Sequence, residues 1–416
     1  MQPSSTLNSS DTTVIIGYVW PEPVSSAAGI RTLQLIKALQ ALTNWKIFFL
    51  SPSKENSFSE ALRNIGISTH CINANDPAFD TLIQSLNPSY VIFDRFVLEE
   101  QFGWRVKEQC PNAVRIIDTQ DLHSLRRTRE KAFLENTEID FFTDDAYREI
   151  ASLYRSDSSL IISDFERKLL AGKFKVPSSL LYCLPFFYEN KIQNPDLSFS
   201  DRRNFIFLGN YRHAPNHDAA LWLCEEIWPK IFAKNPAAEL HLYGAYAPKN
   251  ISALHNPKKG IHFMGHAEDQ YKTLAKYRVN LAPLRFGAGL KGKIADGWLM
   301  RTPCVSTSIG TEGMGYEENH WGGLLADGTD SFVAAATALY EEEMLWKKCS
   351  NQSEQLIQNL FSFSQIAAPF IEHLKQLKEN LQKQRSNNFI GQMLWHHTLQ
   401  STKYMSRWIE EKNKRL

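Results

Sequence analysis

The stretch "LAPLRFGAGLKGKIADGWLMRTPCVSTSIGTEG", residues 281–313, alternates short apolar runs with glycine-rich turns. A β-rich run at 279–284 ends in a loop that contains Gly287 and Gly289, and a helix-like segment follows it. A second β-rich run, 304–307, comes next and ends before another glycine loop. This order predicts two neighbouring parallel strands joined by a crossover helix.

Similar β-rich runs recur along the chain, with helix-like segments between most of them. The first series lies at 14–20, 47–51, 90–96, 114–118 and 160–163, and the second at 205–209, 240–244, 261–265, 279–284 and 304–307. Several runs are apolar on both faces, as expected for strands that helices cover on both sides. The two series predict an α/β chain with two Rossmann-like, doubly wound domains that face each other across a cleft.

The polar segment 185–204 lies between the two series and reads as an interdomain linker. We therefore expect an N-terminal domain over 1–190, a second domain over 200–370, and a helical segment over 371–416. The aromatic residues of this helical segment include Trp395 and Trp408, near the basic end "EEKNKRL". Three interpretations stay open for it: packing back on the first domain, contact with a membrane surface, or an oligomer interface.

Bulk composition narrows the class of protein. The 416 residues contain 46 Lys and Arg against 45 Asp and Glu, and this near-neutral balance disfavours a dedicated nucleic-acid binder. The six cysteines are widely spaced and form no CxxC, which predicts reduced thiols and no structural zinc site. Residues 1–12 lack a signal-peptide pattern, and no apolar run is long enough to span a bilayer. We expect a cytoplasmic protein, with a peripheral contact at the inner membrane face as the alternative.

The opening stretch has the chemistry of a phosphate site. Ligands of open α/β sheets bind beyond the carboxyl ends of the strands, and a helix N-terminus there attracts anions. Gly287 and Gly289 allow close approach of the backbone, and Lys291 and Lys293 add positive charge. Asp296 could accept hydrogen bonds from the hydroxyls of a ribose. The alternative is a structural glycine turn beside solvated lysines.

The region 205–315 also resembles a known family. The segments "FLGNYRHAPNHDAALWLCEEIWP", "AELHLYGA" and "GIHFMGH", together with the opening stretch, resemble the donor-binding domain of GT-B fold glycosyltransferases of the GT4-like group (glycosyltransferase group 1). The resemblance implies a nucleotide-diphosphate sugar as co-substrate, with a UDP- or GDP-sugar favoured. It also implies that the reaction needs no cofactor and no metal and retains the configuration of the anomeric carbon. Many relatives carry two glutamates separated by seven residues, where this chain has Ala288 and Asp296.

The resemblance also implies a role for each matching residue. The base would lie near Met264, Gly265 and His266, and the ribose near Asp296. The diphosphate would lie near Leu290, Lys291 and Lys293, with Arg212 as a second cation. The donor-binding loop would also include Gly287, Gly289 and Ala288, the position of the glutamate that usually holds the sugar. Glu312 and Gly313 would lie near the nucleotide or sugar, and Gly29 would face the diphosphate from the first domain. Gly29 has a simpler interpretation as part of a helix entry capped by Ser25 or Ser26.

Two further loops follow strands of the first domain, and the strand-end rule directs both into the cleft. One carries the acceptor-side candidates Asp94 and Arg95, and the other carries Asp118, His123 and Arg126. The family resemblance makes Asp118 and His123 catalytic candidates, together with Arg212 and Lys291. The alternatives are a surface histidine and a solvated helix face. Farther on, Ser163 and Glu166 fit a helix capping box, which we interpret as structural.

The sequence therefore predicts a retaining, metal-independent glycosyltransferase that acts on an acceptor hydroxyl. Its acceptor could be a glycan, a lipid-linked glycan or a protein, and a nucleic acid is less favoured. Two alternatives stay open: a sugar-nucleotide epimerase or hydrolase, and a non-catalytic nucleotide-sugar-binding partner subunit, which the missing first glutamate motivates. A dinucleotide dehydrogenase is disfavoured because no G-x-G-x-x-G follows the first strand.

Overall fold

The structure, a computed structural model, describes residues 10–189, 197–318, 320–397 and 399–414. The middle of the predicted linker, 190–196, lies outside the described residues.

The first half of the chain folds into a seven-stranded sheet with the order β3-β2-β1-β4-β5-β6-β7, and all of its strand pairs are parallel. Its strands are β1 Thr12–Ile16, β2 Lys46–Ser51, β3 Ser68–Cys71, β4 Tyr90–Asp94, β5 Val114–Asp118, β6 Ser158–Ile161 and β7 Leu181–Cys183. Its helices are α1 Ala27–Leu42, α2 Ser57–Asn64, α3 Ala78–Leu86, α4 Phe96–Gln109, α5 His123–Glu135, α6 Asp144–Arg155 and α7 Asp164–Gly172, and a 3-10 turn covers Ser178–Leu180.

The second half forms a six-stranded parallel sheet with the order β10-β9-β8-β11-β12-β13. Its strands are β8 Arg203–Leu208, β9 Leu240–Tyr243, β10 Ile261–Gly265, β11 Tyr277–Ala282, β12 Cys304–Ser306 and β13 Gly323–Leu325. Its helices are α8 Ala214–Trp222, α9 Trp228–Lys234, α10 Lys249–Ser252, α11 Gln270–Leu274, α12 Gly292–Leu299, α13 Ser308–Thr311, α14 Thr329–Glu341 and α15 Glu343–Leu360; a π-helical stretch, Leu223–Ile227, joins α8 to α9, and Pro257–Lys259 is a 3-10 turn.

The predicted fold class, α/β with two doubly wound parallel sheets, is confirmed. Each of the ten predicted runs overlaps a strand, while β3, β7 and β13 had no prediction. β3 reads Ser-Thr-His-Cys at a sheet edge and is not apolar, whereas β7 and β13 have only three residues each, too few to show a strand pattern. Each sheet packs its own core, with Phe205 and Trp228 fully buried in one and Ile36 and Tyr90 in the other.

The C-terminal helices return to the first sheet. They are α16 Phe363–Glu379, α17 Leu381–Asn387, α18 Phe389–His397 and α19 Leu399–Asn413. Phe370 and Leu374 of α16 are fully buried in the core under the first sheet. In α19, Glu410 pairs with the buried Arg105 of α4. Within the described part of the chain, every helix is too short or too polar to traverse a lipid bilayer.

Candidate functional site

A cavity of about 430 Å³ lies between the two sheets. Its walls are loops that follow strands of both domains, and all of them leave the carboxyl ends. From the first domain come Ser25 and His123, which lie beyond β1 and β5, and from the second come Asn210, His266 and Gly287, which lie beyond β8, β10 and β11. The connectivity of two parallel sheets thus brings distant segments to one place.

The glycine loop between β11 and α12 of the second domain contacts the first domain. Gly287 has φ 147° and Gly289 has φ 69°, so both adopt backbone conformations that favour glycine. A Cβ on Gly289 would lie 2.8 Å from the Cβ of Asp121 in the first domain. Its N–H donates to Glu166 Oε1 at 2.7 Å. The loop needs glycine both for its turn and for this interdomain approach.

Glu166 does not complete the capping box that its spacing suggests. Ser163 Oγ accepts from the Glu166 N–H, as expected for the helix cap. The carboxylate, however, accepts N–H bonds from Leu122 and from Gly289. Burial is the main cause that raises its pKa, to about 8. The partners of the carboxylate are thus two loops from distant parts of the chain, which the local spacing of Ser163 and Glu166 does not reveal.

Lys291 and Lys293 both line the cavity. Lys291 is 7% exposed and donates from Nζ to the Gly289 carbonyl at 2.5 Å. Lys293 Nζ donates to Asn216 Oδ1 at 2.6 Å and lies 4.5 Å from the centre of the Phe207 ring. Burial lowers the pKa of Lys291 to about 8 and that of Lys293 to about 7. Within the described residues neither ammonium forms an ion pair with a carboxylate, so an anion would be a stabilising partner for both.

Asp296 is buried on the same wall, on α12. Tyr188 donates its O–H to Oδ1 at 3.1 Å, and Gln270 donates from Nε2 to Oδ2 at 3.3 Å. Burial raises the pKa of Asp296 to about 7, although hydroxyl contacts oppose the shift. Each carboxylate oxygen can accept more than one hydrogen bond, so both retain capacity for a ligand hydroxyl.

Arg212 and His213 occupy the loop after β8 and line the cavity. The Arg212 guanidinium lies 3.7 Å from the centre of the Tyr246 ring, which holds it beside the opening. His213 was not predicted; burial lowers its pKa to about 4, so it is neutral at pH 7. The one local sign of a functional role for His213 was its position in a loop two residues before Pro215. Its neighbours in the cavity come from other segments of the chain, so no sequence pattern groups them with it.

The acceptor-side wall contains His123, Arg95 and Arg126, three of the predicted site residues, together with Asp121 of the same loop as His123. Arg126 Nε donates to Asp121 Oδ2 at 2.7 Å, and His123 Nε2 lies 3.3 Å from Asp121 Oδ1. Burial raises the pKa of Asp121, but Arg126 and His123 outweigh it and hold that pKa well below its usual range. Burial lowers the pKa of His123 to about 4. This wall thus presents a neutral imidazole between two arginines.

Asp118 and Asp94 lie behind that wall and are not among the described residues that line the cavity. Asp118 is 3% exposed and forms a buried ion pair with Arg31, whose Nε and Nη2 lie 2.9 and 2.8 Å from Oδ1. Asp94 accepts from the Tyr18 N–H at 3.2 Å and from Arg95 Nη1 at 3.3 Å. Both carboxylates are engaged within the protein, where they hold the loops that carry the wall.

Five predicted donor residues also lie outside the described lining: Gly29, Met264, Gly265, Glu312 and Gly313. The Gly29 N–H donates to Ser26 Oγ, the cap of α1, and a Cβ on Gly29 would lie 2.5 Å from the Glu22 backbone. The predicted donor residues that do line the cavity are His266, Gly287, Ala288, Gly289, Leu290, Lys291, Lys293 and Asp296.

Glu312 instead joins the two domains. Its carboxylate accepts two bonds of 2.7 Å from Arg129 of α5, which also donates to the Gly287 carbonyl at 2.8 Å. A second bridge lies across the cavity, where Asn210 Nδ2 donates to the Ser25 carbonyl at 2.9 Å. The domains therefore meet around the cavity through directed polar contacts.

Comparisons with known proteins agree with this geometry. Residues 202–342 match the family model "Glycosyl transferases group 1". The pneumococcal O-GlcNAc transferase GtfA in complex with UDP and GlcNAc is similar in structure, with a TM-score of 0.68, 12% identity, and coverage of 88% of this chain and 99% of that one. No curated protein sequence matches the chain.

Two further structures have the same architecture. Sucrose-phosphate synthase from Thermosynechococcus elongatus matches with a TM-score of 0.67 and 15% identity, over 88% of this chain and 99% of that one. Anabaena HepE in complex with UDP and glucose matches with a TM-score of 0.64 and 11% identity, over 87% and 99%. The fold is therefore GT-B. Within this fold, the similarity to the group 1 glycosyl transferases lies in the second domain, over residues 202–342.

Proposed function

We propose that this chain transfers a sugar from a nucleotide-diphosphate sugar to an acceptor hydroxyl, with retention of the anomeric configuration and without a metal ion. The observation that carries the proposal is the cavity wall formed by Gly289, Lys291, Lys293 and Asp296. On this wall the Gly289 backbone allows a ligand to approach closely, the two lysine amines are held by neutral oxygen acceptors, and Asp296 is a buried carboxylate. All of them lie at the carboxyl ends of two facing sheets.

The donor would lie along the second domain. Asp296 would accept hydrogen bonds from the ribose hydroxyls, with Tyr188 and Gln270 holding its orientation. The diphosphate would then reach Lys293 and Lys291, which precede Asp296 by three and five residues at the start of α12. His266, at the other side of the lining, would lie beside the base.

The chemical step breaks the bond between the anomeric carbon and the diphosphate oxygen. The acceptor oxygen forms its bond to the same carbon from the same face, and the departing phosphate oxygen takes the acceptor proton. Lys291, Lys293 and Arg212 would stabilise the charge that develops on the leaving group. Because an anion favours the protonated amine, diphosphate binding should raise the pKa of both lysines and keep them charged.

The acceptor would enter against the first domain. With its pKa near 4, His123 is neutral at pH 7 and can donate or accept a hydrogen bond to the acceptor or to the transferred sugar. Arg95 and Arg126 flank it on the cavity wall. Asp118 would act through Arg31 as a positioning residue, because its carboxylate is already paired. The acceptor that we propose is a glycan, a lipid-linked glycan or a protein. We further propose that the reaction takes place in the cytoplasm.

Ala288 is the one feature that favours the alternative activities. It is 7% exposed and packs in an apolar cluster with Leu122 and Leu125 of the first domain. The residue at this position has no carboxylate to hold the donor sugar. A donor hydrolase or epimerase, or a non-catalytic nucleotide-sugar-binding subunit, would tolerate that loss.

The first test is a thermal-shift titration with UDP, GDP, ADP, CMP and dTDP, starting with UDP because the neighbours GtfA and HepE were solved with it. A ligand that binds only the folded state raises the melting temperature. We expect one diphosphate to do so in the wild type and in Lys347→Ala, a surface control, but not in Lys291→Ala or Asp296→Ala. No shift with any nucleotide contradicts the donor site.

Product analysis then separates the activities. With the stabilising nucleotide's sugar conjugates and no acceptor, free sugar or an isomerised donor would show hydrolase or epimerase activity. Transfer only in the presence of an acceptor supports the proposal, and the anomeric configuration of the product tests retention. Nucleotide binding without turnover over a broad acceptor set would indicate the non-catalytic alternative.

A further inference from the structure

Three metal-ligating side chains converge at the end of the second sheet that faces away from the cavity. Glu239 directly precedes β9, His241 is the second residue of β9, and His262 is the second residue of β10. Side chains two residues apart on a strand share a face, which places Glu239 and His241 together. The parallel register pairs His241 with His262. Two rigid strands therefore set the convergence, rather than a loop.

The ligand atoms are close enough for one ion. Nε2 of His241 lies 2.9 Å from Glu239 Oε2, and Nε2 of His262 lies 3.5 Å from Glu239 Oε1. The ligand atoms of all three residues lie within 4.8 Å of one another. The side chains are 44%, 15% and 24% exposed for Glu239, His241 and His262, so an ion can enter from solvent.

A second layer of contacts orients the ligands. The Tyr277 hydroxyl lies 2.6 Å from Nδ1 of His241, and it also lies 3.1 Å from the Tyr243 hydroxyl. Asn204 Nδ2 donates to Glu239 Oε2 at 3.1 Å. A hydrogen bond at one imidazole nitrogen fixes the ring and directs the other nitrogen toward a metal, as in known metal sites.

We propose that Glu239, His241 and His262 bind a divalent transition-metal ion, Zn²⁺ first, at a site separate from the donor cavity. Two imidazoles and one carboxylate suit zinc and disfavour Mg²⁺ and Ca²⁺, which prefer oxygen ligands. Water would complete the coordination. The ion would clip β10, the edge strand of the sheet, to β9 and so stabilise the second domain. Zinc binding here would overturn the sequence prediction of no structural zinc site, which rested on the absence of closely spaced Cys and His residues.

The test uses the full chain, free of any tag and of metal after chelation, titrated with Zn²⁺ by calorimetry. We expect one zinc per chain and a rise in melting temperature with zinc concentration. His241→Gln and His262→Gln should each weaken binding at least about 100-fold, and Tyr277→Phe about 10-fold, the range for a lost supporting contact. Circular dichroism of the zinc-free variants checks that they fold.

Two controls keep the proposal falsifiable. His396 and His397 are adjacent histidines on α18 with ring centres 4.6 Å apart, and their double alanine variant should bind zinc as the wild type does. The ring centre of His255 lies 5.8 Å from that of His262, but His255 is not part of the group whose ligand atoms converge, so His255→Ala should also retain binding. Absence of a stoichiometric site in the wild type, or equal affinity in the wild type and in both glutamine variants, would overturn the proposal.

Discussion

Burial of Lys291 and Lys293 lowers their pKa values and leaves each amine without a carboxylate partner among the described residues. Each amine is held by a neutral oxygen acceptor, and burial lowers the pKa values to about 8 and about 7. Near pH 7 a bound diphosphate therefore draws a proton onto a lysine that is partly neutral in the free protein.

The first prediction is that diphosphate affinity falls as pH rises. The protonated lysines favour the ligand, so affinity is full below the free pKa values and is lost as pH increases through the higher values in the complex. We expect the dissociation constant of the stabilising nucleotide to increase by about tenfold or more between pH 7.5 and 9. Calorimetry in buffers of different ionisation enthalpy measures the proton uptake directly.

The matched variants are Lys293→Met and Lys272→Met. Lys272 is an exposed lysine on the short helix α11, paired with Asp269 and absent from the described cavity lining. Lys293→Met should weaken binding and flatten the pH dependence, and Lys272→Met should leave both unchanged. A wild-type affinity that is constant over this pH range would contradict the assignment of the lysines to the diphosphate.

At the scale of elements, both backbone conformation and a contact with the first domain constrain the glycine loop before α12. Gly289 combines a left-handed φ with an interdomain contact to Asp121, whereas Gly66 has φ 84° and open space where a Cβ would lie. The two glycines therefore separate backbone strain from steric contact.

The second prediction compares Gly289→Ala with Gly66→Ala. Both should lose about 1–2 kcal/mol of unfolding free energy, the cost of a left-handed conformation for alanine. Only Gly289→Ala should also push the donor loop away from the first domain and lower kcat/KM, by up to about 100-fold for a displacement near 1 Å. Urea unfolding and steady-state kinetics measure the two effects, and equal kcat/KM values in the two variants would refute the interdomain role of the loop.

The C-terminal helices contain one buried and one exposed tryptophan. Trp395 of α18 is 6% exposed, donates from Nε1 to the Arg155 carbonyl at 2.9 Å, and lies 4.8 Å from the Arg115 guanidinium. Trp408 of α19 is 60% exposed. Of the three interpretations of this segment, packing on the first domain accounts for Trp395, and the membrane and oligomer interpretations now depend on Trp408 and its exposed neighbours.

The third prediction follows from that difference. Trp395→Ala should lower the free energy of unfolding by about 3–5 kcal/mol, because it removes a buried ring and leaves a cavity. Trp408→Ala should change it by less than about 0.5 kcal/mol. Denaturant titration of the two variants decides this, and similar losses in both would contradict the packing described for α18 and α19.

At the scale of the whole molecule, the two domains meet through Arg129 and Glu312. This pair is 11% and 17% exposed and is bidentate, and Arg129 also reaches the Gly287 carbonyl. These contacts connect a helix of the first domain to the glycine loop of the second, an arrangement that would exclude water during the proposed transfer.

The fourth prediction is that Arg129→Met weakens closure. Loss of the charged hydrogen bonds should cost about 1.5–3 kcal/mol of interdomain interaction, which corresponds to roughly a tenfold or greater loss in kcat/KM. Arg127→Met is the control, since Arg127 is more exposed and pairs with Asp145 within the first domain. Small-angle scattering should show a larger radius of gyration for Arg129→Met alone; identical scattering and kinetics in the two variants would exclude this role.

The sequence by itself determined the class of fold and the glycine-rich loop between β11 and α12, because both depend on local patterns. Short apolar β-rich runs predicted ten strands, and Ser26 and Ser163 cap their helices as their positions before the helices suggested. Gly289 and Lys291 could be assigned because backbone freedom and charge at a strand end are properties of the segment itself.

Only the tertiary structure decided how residues far apart in the chain combine. Glu166 meets Gly289 across 123 positions, and Arg129 meets Glu312 across 183, so neither pairing leaves a local signal. The register of β9 and β10 likewise brings His262 to His241. These contacts depend on how the strands align and how the two sheets close, which the packing of the whole chain sets, because no short window of sequence contains both partners.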